Sequence, residues 1–223
     1  QAELPSNSTG YKAGKFAANH FAGIKNALRP VLSLANTTHS LLGTSRMTSI
    51  TRKMHNVWGL PQWTPAMPMS YKIHKKNNKA PDAKNKVVYF PSCINQTMGL
   101  AKNSPVEQPL VNKMLSLLQK AGYEVIFPPK MEKLCCGTIW ESKGMLDIAD
   151  SKSAELEAAL WEASEQGRYP VLCDQSPCLH RMRATIQKMK LYEPAEFIYT
   201  FLRDKLEFTP TDRPVAVHIT CSM

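Results

Sequence analysis

The chain has 223 residues, with 28 Lys+Arg against 18 Asp+Glu and a formal net charge of +10. Apolar residues at 43% and charged residues at 21% exclude a wholly disordered chain, and sixteen Pro against ten Gly exclude a collagen-like one. No run approaches the roughly 18 uninterrupted apolar residues of a membrane-spanning helix, and Gln1-Ala2-Glu3-Leu4-Pro5 lacks the build of a signal peptide. With no initiator Met, and with Met223 directly after an apparent strand and a Cys, the sequence reads as a piece of a longer polypeptide. The charge is divided unevenly. Residues 1–90 carry 10 Lys and 3 Arg against only Glu3 and Asp82, and contain no Cys. All six Cys lie from residue 93 onward, where basic and acidic residues nearly balance. Two regions of different chemistry follow.

In the first region the apolar positions Phe16, Ala17, Phe21, Ile24, Ala27 and Leu28 recur at helical spacing. Pro30 stands where a new helix would begin, and Val31, Leu32, Leu34, Ala35, Leu41 and Leu42 follow before Gly43. Ile50, Met54 and Val57 predict a third helix over 48–58. Pro61, Pro65 and Pro68 then give an extended stretch, and residues 72–86 a charged connector. Such a basic segment could meet nucleic acid or an anionic membrane surface. No basic-region or aromatic RNA-binding motif is present, so it is read as a face docking on another part of the same polypeptide, with no nucleic-acid partner. His20, His39, His55 and His74 are isolated and read as surface or packing residues.

The second region alternates strands and helices. Strands are predicted at 87–90, 124–127, 169–173 and 215–219, and helices at 108–121, 142–166, 178–189 and 194–206. That order predicts an α/β fold with an open, mainly parallel sheet flanked by helices, preceded by the basic helical segment. Cys93 falls three residues past the first strand, and Cys135 and Cys136 in the loop after the second. Cys173 and Cys178 close and follow the third strand, and Cys221 follows the fourth. In a parallel sheet all six positions share the carboxyl edge, where open α/β folds place ligands.

A disulfide framework is not expected in a region of this size without a secretion signal. Neighbouring thiolates suit soft metal centres, either an iron–sulfur cluster or zinc, each needing about four donors. Cys93, Cys135, Cys136 and Cys178 supply four and Cys173 a fifth, the alternative being free buried thiols. Gly137 frees the backbone where two ligands turn towards one point. His180 and His218 lie near these loops, within reach of a ligand's outer hydrogen bonds, and are read first as packing residues.

Three phrases carry a resemblance: Phe90-Pro91-Ser92-Cys93, Leu134-Cys135-Cys136-Gly137, and Cys173-Asp174-Gln175-Ser176-Pro177-Cys178. Together they resemble the cysteine-rich "CCG" domain family. That family includes the cysteine-rich component of heterodisulfide reductase, the iron–sulfur subunits of glycolate oxidase and anaerobic glycerol-3-phosphate dehydrogenase, and the carboxyl-terminal part of FAD-linked D-lactate dehydrogenases. Val217-His218-Ile219-Thr220-Cys221-Ser222 looks like the start of a second repeat. Gln175 stands where many relatives carry the first Cys of Cys-x-x-Cys, and this phrase looks more like the FAD-linked D-2-hydroxyacid dehydrogenase branch. The resemblance implies a connector over 1–86, a first repeat over 87–214 and a truncated second repeat over 215–223. It further implies a 4Fe-4S-type cluster on Cys93, Cys135, Cys136 and Cys178, with Cys173 in or beside the ligand shell. FAD would sit on a domain outside this chain, next to a ferredoxin-like domain. Electrons would pass to a quinone or another acceptor from a cytoplasmic protein, peripheral at the inner face of the membrane. Zinc, or a metal-free docking domain, is the alternative.

Overall fold

The computed structural model describes residues 3–73, 85–210, 212, 214 and 216. Val87, Val88, Tyr89 and Phe90 are β-branched or aromatic and almost wholly buried, which makes β2 (Asn85–Phe90) a strand covered on both faces. It pairs in parallel with β4 (Tyr123–Ile126) on one side and β5 (Val171–Cys173) on the other. β6 (Leu191–Tyr192) adds in parallel to β5, so the sheet order is β4-β2-β5-β6. A small antiparallel pair, β1 (Pro68–Ser70) with β3 (Met98–Ala101), stands apart from this sheet.

Helices fill the connections: α3 (Leu110–Lys120) precedes β4, α4 (Thr138–Glu141) and α5 (Leu146–Ala163) lead to β5, and α6 (Ser176–Thr185) leads to β6. α7 (Pro194–Phe197) continues through a π turn to Leu202 and a short 3-10 turn to Lys205. Val111, Met114 and Leu118 on α3, and Leu156 and Leu160 on α5, bury their faces in one core with Leu172, Phe197 and Leu202. The chain runs outward from β2 to β4, then back across β2 to β5 and on to β6. This reversal puts the topological switch between the carboxyl ends of β2 and β5, the place where such sheets hold ligands.

The α/β architecture, with its parallel sheet, flanking helices and N-terminal helical segment, is the one expected, but several elements differ in detail. Two helices, α1 (Thr9–Asn19) and α2 (Phe21–Trp58), replace three. α2 passes through Pro30, which forgoes one backbone bond, because tertiary anchors hold both flanking turns: Lys25 and Arg29 before it, buried Leu32 after it. It kinks at Gly43, where φ is 75° and ψ 168°. The helix expected over 142–166 is present but shorter, as α5; Gly144, with a φ of 72°, lies in the turn between α4 and α5 and delays its start. β6, only two residues long, has no counterpart among the expected strands. Apart from Ala216, the strand expected at 215–219 lies outside the described residues, as do His218, Cys221 and His74.

The N-terminal helices pack onto the sheet-bearing part. Ala18 and Phe21 share its core, the Phe21 ring meets Trp140 edge-on at 5.5 Å, and Trp140 Nε1 donates to the Gly14 carbonyl at 3.0 Å. Among the described residues no helix is long and apolar enough to cross a membrane.

Candidate metal centre

After β4 a short 3-10 turn (Met131–Lys133) delivers Leu134-Cys135-Cys136-Gly137 into α4. Both thiols are buried. Gly137 has a φ of 90°, and a Cβ built there would stand 2.4 Å from the Ala149 carbonyl oxygen of α5 and 3.0 Å from Arg181 Nε. Glycine is therefore required twice, for its backbone angle and for the close approach of α5. The carbonyl of Cys136 accepts from Ser153 Oγ at 2.9 Å and from Arg181 Nε at 3.0 Å. Arg181, only 4% exposed, also donates to Glu141 and, at 2.6 Å, to Asp150. One guanidinium on α6 thus fastens the turn to α4 and α5, with both carboxylates matching its fork.

The other sulfurs reach the same rim. Cys93, half-buried, lies in the turn after β2. Cys173 is the fully buried last residue of β5, paired in register with Phe90. Cys178, half-buried, lies in the first turn of α6. Hydrogen-bonding contacts run as a string from Cys93 to Cys135, from Cys135 to Cys136, and from Cys136 to Cys178. Cys173 stands at the edge of the string: the charges of Cys136 and Cys93 act on it and it acts on Cys178, without a hydrogen bond to any of them, and its Sγ donates to the Gln175 carbonyl.

Donation from Cys135 first, then from Cys178 and from the Thr138 hydroxyl and backbone, holds the Cys136 thiol far below its ordinary range; Thr138 Oγ1 is 3.2 Å from the sulfur. Cys135 and Cys178 are pushed up because each donates to Cys136 and is buried. Cys93 is lowered, chiefly by donation from Cys135. Burial raises Cys173. The pattern is that of close, partly desolvated thiols that share hydrogen bonds.

The Cys93 loop is held from outside its own segment. Asp174, next to Cys173, accepts from Tyr89 OH at 2.7 Å and from the Ser92 amide at 2.8 Å; its carboxyl is raised by burial. Gln96 donates to the Pro91 carbonyl at 2.7 Å and accepts from Lys25 Nζ at 2.7 Å. Arg29, one turn further along α2, donates to the carbonyls of Tyr71 and Gln96. Burial pulls the Lys25 ammonium down to about 8, and the attraction of Cys93 and then Cys135 acts against that pull.

The structure brings Cys93, Cys135, Cys136 and Cys178 together and leaves Cys173 beside them. His180 is exposed to solvent. The residues the sequence did not reveal are Lys25, Arg29, Gln96, Asp174 and Arg181. Arg181 carried a weak signal, since it follows Cys178 by three and so shares its helical face. Among the described residues no three His, Cys, Asp or Glu side chains form a cage for one metal ion. A zinc site needs four donors at about 2.3 Å from one point.

A probable glycolate oxidase iron–sulfur subunit of Bacillus subtilis (strain 168) is 28% identical to this chain over 121 residues. The match covers 48% of the chain and 25% of that protein, so the chain spans about a quarter of the length of the curated relative it matches. No protein-family model and no solved structure matches.

Proposed function

We propose that this chain is an iron–sulfur electron-transfer part of a flavin-linked D-2-hydroxyacid oxidoreductase of the D-lactate or glycolate type. The observation that carries the reading is the meeting of four thiols from three separate loops at the sheet's switch point. Similarity to an iron–sulfur subunit points the same way. Cys93, Cys135, Cys136 and Cys178 would hold a cluster of the 4Fe-4S type, with Cys173 beside it. The bound group would supply one-electron acceptance and release. This chain's residues do the rest: Arg181 and Ser153 fix the Cys136 backbone, Asp174 fixes the Cys93 loop, and Trp140, Leu134 and Phe90 exclude water. FAD, a ferredoxin-like domain and a second cysteine repeat would lie elsewhere in the assembly. A quinone or similar acceptor would be reached from the cytoplasmic face of a membrane.

The test is metal and sulfide analysis of the intact polypeptide purified without oxygen. Iron and acid-labile sulfide in matching amounts, with visible absorption that dithionite bleaches, are expected. Stoichiometric zinc, or colourless metal-free protein, would overturn the reading.

A further inference from the structure

Lys25 is only 5% exposed, yet among the described residues it forms no ion pair with a carboxylate. Lys152, also buried, behaves conventionally and pairs with Glu155 at 2.8 Å. A buried ammonium without an anion is costly and needs a compensating partner. Its neutral contacts are Gln96 Oε1 at 2.7 Å and the Phe21 ring, 5.3 Å from Nζ to centroid. The groups that favour its charge are Cys93, then Cys135, then more weakly Glu132; Arg29 opposes it. Gln96 belongs to the Cys93 loop, and α2 packs against the 3-10 turn that leads to Cys135. The lysine therefore ties α2 to the Cys93 loop, on the helix that also packs against the turn before Cys135.

We infer that Lys25 is the fixed cation of the sulfur site, a tuning residue that favours its more negative redox state. The inference rests on the iron–sulfur reading above. Adding one electron to a thiolate-ligated centre adds one negative charge, and a nearby ammonium in a poorly solvated pocket stabilises that form. α2 itself carries no carboxylate to pair with the lysine.

The test compares Lys25→Met and Lys25→Arg with the unaltered protein, each as the intact polypeptide purified without oxygen. Iron and sulfide are measured first, then the midpoint potential in a dithionite titration followed by absorption and paramagnetic resonance. For Lys25→Met the equilibrium constant for reduction should fall roughly tenfold, about 59 mV for a one-electron couple. Lys25→Arg should recover most of that shift, because it restores charge with a different shape. If Lys25→Met does not load a centre, Lys25→Gln supplies the neutral comparison. No iron in the unaltered protein overturns both this inference and the functional reading. Iron present with equal potentials, or Arg shifting as far as Met, overturns the inference alone.

Discussion

The Cys135–Cys136–Gly137 turn and the Cys93 loop arrive at one rim by different means. The first is braced by its own neighbourhood: Ser153 and Arg181 hold the Cys136 carbonyl, and α5 presses a backbone oxygen against Gly137. The second borrows its support, from Asp174 just past β5 and from Lys25 and Arg29 on a helix some seventy residues earlier. A short motif can thus encode one half of a site while the other half depends on a distant segment. The basic helix contributes to the site through its first half. Beyond Gly43 it exposes Ile50, Val57 and Trp58.

The contrast breaks most sharply at Gly137. Gly137→Ala forces a Cβ against a backbone oxygen at positive φ, and a loss of about 3 kcal/mol is expected in urea denaturation. A loss within about 0.5 kcal/mol would mean that α5 yields easily. Arg181→Met leaves the Cys136 carbonyl without one buried donor and frees Glu141 and Asp150, which are exposed enough to rehydrate. About 2 kcal/mol is expected by the same measurement. Arg29→Met should cost about 1 kcal/mol and act locally. Amide exchange should quicken at Gln96 and Thr97 and stay unchanged along α5; equal quickening in both would erase the distinction between the loops. The smallest effect is expected from Val57→Ser on the outer half of α2, within about 0.5 kcal/mol.

Much of the sheet was legible. The run Val87–Phe90 is apolar without alternation, as a strand buried on both faces requires, and the cysteines follow three strand ends. Gly137 was legible as a glycine that had to turn, but its clash with α5 depends on how a helix packs. β6 has two residues, too few to show a period. Pro30 read as a helix start because local propensity cannot register Leu32 and Arg29 anchoring both sides. Lys25 resembled any other lysine of a basic segment. Its meaning lies in Gln96, 71 positions away, and no spacing rule reaches that far.

The central claim is that four of these sulfurs hold one redox centre while Cys173 stands outside it. Iron bound per intact polypeptide, measured after anaerobic purification of single Cys→Ser variants, tests it most directly. Serine at 93, 135, 136 or 178 should each remove the iron of this site, and serine at 173 should leave it in place. Full iron in all of the first four variants would contradict the account.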